Sequence, residues 1–259
     1  MRKSLWIVLL TCWPAPSVLA AEKPLELRYF GQSFFVLTTS AGTRIAFDPH
    51  AIEQLGKPMV RADLVLVSHP HPDHMRLEAI ENRKEAKVLE GVKIQPPATA
   101  GGPPRSNWNP IDETFRDVRI RTVGTYHDRA QGMERGRNSI FIVEADGLRF
   151  VHLGDLGHEL SDDQVRQIGP VDVLMIPVGG VYTLNGTRAK EVLAQLKPRR
   201  IVVPMHYGVD AWDDVLPVTE FLDGLPNVER TPKSNRIAID PSAPAPKEPI
   251  VVVPGYGKR

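Results

Sequence analysis

The chain has 259 residues, of which 42% are apolar and 24% charged, with a formal net charge of +1. That length buries a substantial core in one large domain or two small ones, and the mixture is that of a soluble globular protein. No basic surplus points to nucleic acid or an anionic membrane, although a local patch is compatible with the total, and a single cysteine excludes a disulfide framework.

Arg2 and Lys3 precede an apolar run, Leu5 to Trp13, that is short for a membrane span and ends near Val18-Leu19-Ala20-Ala21. The pattern predicts a cleaved signal peptide over residues 1–20, hence a secreted or periplasmic protein with no transmembrane segment in the mature chain. An uncleaved anchor, a buried N-terminal helix and lipoprotein processing at Cys12 are the competing readings; Thr11 fits the last poorly. Cleavage after Ala20 removes two of 32 basic residues and none of 31 acidic ones, leaving 30 against 31, or −1. It also removes Cys12, so metal ligands and nucleophiles must be of other types.

Residues 21–240 are expected to form one domain. Short apolar or alternating runs at Leu25–Phe30, Ser33–Thr38, Thr43–Phe47 and Asp63–Val67 are punctuated by Gly31, Ala41-Gly42 and Pro49 and predict an initial β-meander. Residues 95–110 carry five prolines, two glycines and Trp108, which predicts an irregular loop, either a lid with Trp108 as its aromatic or a plain insertion. Further strands are predicted at Val118–Val123, Ser139–Glu144, Leu148–Leu153, Val171–Ile176 and Arg200–Val203, with Asp146-Gly147 as a hairpin turn. Helices are predicted from Ser161 to Ile168, stopped by Gly169-Pro170, from Thr187 to Leu196, stopped by Pro198, and from Asp213 to Leu222. Strands first, then strands alternating with helices, give a layered α/β or α+β domain. Residues 241–259 read as a Pro-rich tail, extended or disordered.

Three of the eight histidines fall in Ser68-His69-Pro70-His71-Pro72-Asp73-His74, directly after the apolar strand Leu64–Val67. Pro70 and Pro72 bias His69 and His71 to extended conformations, in which residues two apart point the same way. These two rings can therefore chelate one ion, while Asp73 and His74 face a second. Imidazole and carboxylate are the ligands that zinc and similar cations accept. Two metals need more donors, and three later candidates each end a strand and enter a Gly-containing turn: His127, Asp155 and His206.

His69-x-His71-x-Asp73-His74 followed by His127, Asp155 and His206 resembles the metallo-β-lactamase superfamily. The phrases His-Leu-Gly-Asp-Leu-Gly-His, Ile-Pro-Val-Gly-Gly and Val-Pro-Met-His-Tyr-Gly are similar to its branch of ascorbate-6-phosphate lactonase-like metal-dependent hydrolases. The resemblance implies an α/β fold, a four-layer αβ/βα sandwich of two mixed β-sheets with outer helices and the metals at one edge. It implies two divalent ions, zinc first and manganese or iron as alternatives. His69, His71 and His127 would hold one, Asp73, His74 and His206 the other, with Asp155 bridging and Asp48 orienting a ligand or water by hydrogen bonds. No cysteine stands among these ligands, which argues against a role in antibiotic resistance.

Two such ions share and activate a water, and the leaving group must then be protonated. Asp73, His158 and Tyr182 are the catalytic candidates and Tyr207 a further site neighbour; His158, Tyr182 and Tyr207 also fit an ordinary packed or rim role. His152 is expected in the core and His50 in a loop. Asn185 stands where the family often has Asp. The substrate is expected to be a small molecule, with a carbonyl ester such as a lactone favoured. A phosphodiesterase or nuclease is the alternative on the same site, supported only by Arg129, Arg135 and Arg137. An iron-dependent oxidoreductase is a third reading, disfavoured because His71 is intact, and a metal-stabilised binding protein without turnover a fourth.

Overall fold

The computed structural model describes residues 24–98 and 105–257; the expected signal peptide lies outside them. The chain opens with strands β1 (Leu25–Tyr29), β2 (Phe35–Thr38), β3 (Arg44–Phe47), β4 (Leu64–Val67) and β5 (Lys87–Glu90), then β6 (Val92–Gln95), β7 (Arg105–Trp108), β8 (Asp112–Phe115), β9 (Val118–Tyr126), β10 (Arg137–Ala145) and β11 (Leu148–His152). Helix α1 (Asp162–Ile168), β12 (Val173–Pro177), α2 (Gly186–Leu196), β13 (Ile201–Met205), α3 (Thr219–Leu222), β14 (Val228–Thr231), β15 (Arg236–Ile239) and β16 (Ile250–Pro254) follow.

Six strands form one sheet in the order β15-β1-β2-β3-β4-β5, and eight form a second in the order β14-β16-β13-β12-β11-β10-β9-β8. Both are mixed: each meander is antiparallel, while β3-β4-β5 and the run from β11 to β14 are parallel. Alternation along β2, β3 and β4 sends Phe35, Leu37, Ile45, Phe47, Leu64 and Leu66 into the core shared with the second sheet. The intervening Val36, Ala46, Val65 and Val67 face a smaller cluster with Phe34, Val60 and Ile80. That outer face is covered by loop and by the 3-10 turn at Leu77–Ala79, whose Ala79 is buried there. The α-helices pack elsewhere, Ile168 of α1 and Ala189, Val192 and Leu196 of α2 joining the main core. The sandwich is as expected, but among the described residues the helical layer covers one sheet only.

Local signals explain much of this. Ser161 and Gln164 form a reciprocal capping box at α1, which ends at Gly169 with positive φ. Asp146 and Gly147, both at positive φ, close the two-residue turn joining β10 to β11. Asn185 accepts the backbone N–H of Arg188 and caps α2, so its departure from Asp leaves a working cap.

Four expectations are corrected. Residues 95–110 are not irregular throughout: β6 and β7 pair as a two-stranded sheet. Trp108 is not a lid; its Nε1–H donates to the carbonyls of Thr125 and Asn138 at 2.9 and 3.0 Å, pinning the hairpin to the main sheet. The tail after residue 240 belongs to the domain, because β16 lies between β13 and β14 with Val251 to Val253 buried. The third helix shrinks to Thr219–Leu222, since Gly208 and Gly179 take the preceding residues into backbone hydrogen bonds with Leu216. No helix among the described residues is long and apolar enough to cross a membrane.

Candidate metal centre

Parallel strands end together, so residues just past their C-terminal ends share one edge of the sandwich. Asp48 follows β3 and His69 follows β4, and the backbone N–H of Asp48 donates to Leu66 across the pair. From the second sheet, His127 follows β9, Asp155 follows β11 and His206 follows β13. Asp48 and His206 both adopt positive φ, which turns their side chains out of the strand direction at the edge.

Asp155 stands at the centre. Its Oδ2 lies 3.1 Å from Nε2 of His74, 3.1 Å from that of His127, 3.2 Å from that of His206 and 3.8 Å from that of His69. His69 Nε2 and His71 Nδ1 face each other at 3.0 Å. Two trios emerge whose ligand atoms all lie within 4.8 Å of one another, His69/His71/His127 and Asp73/His74/His206. A third, Asp48/His69/His74, overlaps them.

Asp48, fully buried, orients two of the rings. Its Oδ2 meets His74 Nδ1 at 2.9 Å and accepts the Ser68 hydroxyl at 2.6 Å, while Oδ1 accepts the Ser68 N–H at 2.7 Å. The Ser68 hydroxyl also meets His69 Nδ1 at 2.9 Å. Both rings thus carry their proton on Nδ1 and turn Nε2 inward, the arrangement expected of an imidazole held for a metal.

The electrostatics are those of a site short of positive charge. Burial draws the pKa of His74 down, but Asp155, Asp73 and Asp48 more than reverse this and hold it well above the ordinary histidine value. Burial would push the Asp155 carboxyl up, yet His206, His74 and His127 hold it well below the usual range. His69 is driven well below its usual value by burial and by His74, and so stays neutral. A field that keeps a proton on His74 also favours a cation there. Asp155 Oδ1, His127 Nδ1 and His206 Nδ1 are buried without a hydrogen-bond partner. An unsatisfied buried carboxylate oxygen among imidazoles, with no thiol present, fits one or more divalent ions of the zinc type.

The centre opens into a cavity of about 320 Å³ lined by His71, Pro72, Asp73, His127, Arg135, Asp155, Tyr182 and His206. Tyr182, 45% exposed, stands at its mouth beneath the Arg135 guanidinium, 5.5 Å from the ring centroid. His158 is not brought to the cavity. Its Nε2 accepts the Tyr126 N–H at 3.0 Å and its Nδ1 faces the Glu159 carbonyl at 2.7 Å. Tyr207 is buried against Tyr29, with ring centroids 6.4 Å apart. His152 is a core residue stacked on Phe47, as expected. His50 is no loop ornament: it is buried, bonded to the Phe30 carbonyl, and burial lowers its pKa to about 4.

Sequence reasoning missed Gln32, Ser68, Asn138 and the placement of Arg135. Asn138 Oδ1 accepts the Asp155 N–H at 3.0 Å, and Asp128 accepts four backbone N–H groups of the loop that carries Arg135. The available signal for Gln32 was its place in Gly31-Gln32-Ser33 at the end of β1.

A two-sheet sandwich with histidine and aspartate clusters at the strand ends of one edge defines a metal-dependent hydrolase of metallo-β-lactamase type. The family model described as a beta-lactamase superfamily domain matches residues 26–206, and the chain belongs to that superfamily. It is 32% identical over 205 residues to a UPF0173 metal-dependent hydrolase of Opitutus terrae, covering 71% of this chain and 85% of that one. A UPF0173 metal-dependent hydrolase of Thermus thermophilus is 32% identical over 194 residues, covering 71% and 84%. Among solved structures, a Zn-dependent hydrolase of the metallo-beta-lactamase superfamily from Thermotoga maritima is 31% identical, with a TM-score of 0.65, covering 88% of this chain and 98% of that one.

Proposed function

We propose that this hydrolase is binuclear and cleaves a carbonyl ester of lactone type in a small molecule, outside the cytoplasm. The observation that carries the reading is Asp155, one carboxylate within 3.8 Å of histidines from both trios, with its second oxygen buried and unpartnered. His69, His71 and His127 would hold one ion and Asp73, His74 and His206 the other, with Asp155 between them. The zinc-dependent relative supports zinc, with manganese and iron acceptable to the same donors.

Bound divalent ions supply a water of lowered pKa and polarise the bond to be cleaved. The chain does the rest. Asp48, through His74 and Ser68, holds a proton on each Nδ1 and turns the Nε2 atoms inward, where they would meet the ions. The backbone N–H of Asp155 is held by Asn138, which fixes the point from which the carboxylate projects. Asp73, whose side chain is 38% exposed, faces the cavity and can take a proton from the attacking water. The Tyr182 hydroxyl, on the rim, is placed to protonate the departing alkoxide. His158 is excluded from that role by its backbone partners.

A phosphodiesterase reading draws on the recess of about 240 Å³ that continues the cavity past Arg129, Arg135 and Arg188. Glu159 neutralises Arg188 through bonds of 2.7 and 3.0 Å. Arg135 is paired with the exposed Glu134 at 3.3 Å, so the positive charge is too thin for a nucleic-acid backbone but suited to one anionic substituent. Elemental analysis with hydrolysis assays on lactone and bis-p-nitrophenyl phosphate panels tests the choice. Two zinc or manganese equivalents with chelator-sensitive lactone turnover are expected. Phosphodiester turnover alone would replace the substrate assignment, two irons without hydrolysis would point to redox chemistry, and bound metal without any turnover to a binding protein.

A further inference from the structure

Gln32 is almost fully buried, sits at positive φ, and places a polar atom within 2.9 Å of each member of one trio. Its Nε2 amide donates to Asp73 Oδ2 at 2.9 Å and lies 2.9 Å from His74 Nε2, to which it donates whenever that nitrogen is neutral. Its backbone carbonyl accepts the His206 N–H at 2.8 Å and the Tyr29 hydroxyl at 3.1 Å. The amide is itself anchored, since Oε1 accepts the Ser33 N–H.

We infer that Gln32 is a positioning residue that holds Asp73, His74 and His206 together before the second ion arrives, and that it makes their site the weaker of the two. This rests on the binuclear reading above. An amide NH2 carries partial positive charge and here stands between a carboxylate oxygen and an imidazole nitrogen, the place a cation shared by them would take. It gives the Asp73 carboxylate, at the edge of the cavity, a fixed partner from the protein interior. An ion entering the trio must displace the amide from both, so binding is reduced by the free energy of those hydrogen bonds. In the other trio the inward atoms pair only with ligands of the same centre, His69 with His71 and His127 with Asp155 (as His74 and His206 also do), and these ligands regroup around an ion, whereas the Gln32 amide has to leave. Loading is therefore stepwise, His69/His71/His127 first.

The test is calorimetric titration of the metal-free full-length chain with zinc, paired with melting temperatures of the metal-free form. The parent protein is expected to show two unequal steps. Gln32→Ala, which removes the amide, tightens the second step about tenfold, leaves the first within threefold, and lowers the metal-free melting temperature. Gln32→Glu keeps the shape and adds a carboxylate, and tightens the second step further. Two equal steps in the parent protein, or a second step unchanged or weakened in Gln32→Ala, overturns the inference while the binuclear reading stands. A single equivalent in all three proteins sinks both. One equivalent in the parent protein and two in Gln32→Ala supports the inference in its strongest form.

Discussion

Asp48→Asn changes one atom yet should disarm the proposed metal ligand His74, 2.9 Å away. Asp48 accepts three hydrogen bonds, from the Ser68 N–H at Oδ1 and from the Ser68 hydroxyl and His74 Nδ1 at Oδ2. Asparagine keeps its oxygen for the Ser68 N–H and presents its NH2 where Oδ2 stood. The Ser68 hydroxyl can rotate and accept instead. His74 has no such freedom: its Nδ1–H now meets a donor. The ring either loses a bond that was worth about 1.5–3 kcal/mol with a charged acceptor, or moves its proton to Nε2, which faces Asp155 and Asp73. Either outcome weakens ion binding, and loss of such an outer partner costs about 10–100-fold in metal affinity, equivalent to about 1.4–2.7 kcal/mol. Competition with a chromogenic chelator should place the loss mainly on the second equivalent, to which His74 is assigned. Ser68→Ala leaves the His74 contact intact and should weaken only the first equivalent, a few-fold, through His69. If Asp48→Asn binds both ions within twofold of the parent protein, the tautomer argument is wrong.

A Cβ at Gly179 would collide with the His206 carbonyl, so Gly179→Ala should cost about 1–3 kcal/mol and weaken metal binding; an unchanged melting temperature and chelator titration would show that the edge is softer than drawn. Arg135→Ala should lower kcat/KM at least about tenfold more for esters bearing a carboxylate than for their methylated counterparts, and equal losses on both would remove Arg135 from substrate recognition. Bonds from Arg188 hold the Glu159 carboxyl down to about 2, below its ordinary 4.5, so the pair stabilises above that ordinary value and its contribution fades as pH falls towards 2. Screening limits the effect to about 1 kcal/mol or less, and the stability gap between the metal-free protein and Glu159→Gln should close between pH 4.5 and 2 rather than persist. Val251→Asp buries an unpaired charge in β16 and should prevent folding; a soluble, cooperative variant would show that β16 is dispensable.

What could be read from the chain was what local chemistry writes. The His69 to His74 segment announces itself because its donors lie within six residues of a strand end. Asp155 and His206 were legible for the same reason, each a polar residue in a turn after an apolar run. The expectations that the fold overturns depend on where the chain goes next. His158 is three residues past Asp155, but the Gly157 N–H bonds to the Tyr126 carbonyl at 3.0 Å and draws the chain across the end of β9. The ring then meets backbone, not cavity. Residues 241–249 do carry the prolines of a tail, yet Ile250 to Pro254 returns to pair with β13 and β14, and nothing local predicts a partner about 50 residues away.

Gln32 marks the limit more sharply. Glutamine has no metal or proton chemistry of its own, so no spacing rule selects it, and its partners Asp73 and His74 lie 41 and 42 residues on. Its role exists only once the end of β1 meets the end of β4 at the sandwich edge. The ligands of a centre like this are chosen by element chemistry, which sequence displays. The order and strength with which they fill are set by the uncharged groups that satisfy them beforehand, and those are displayed only by the fold. If Gln32→Ala reverses or abolishes the inequality of the two steps, the asymmetry of this metal centre resides in an amide rather than in its ligands.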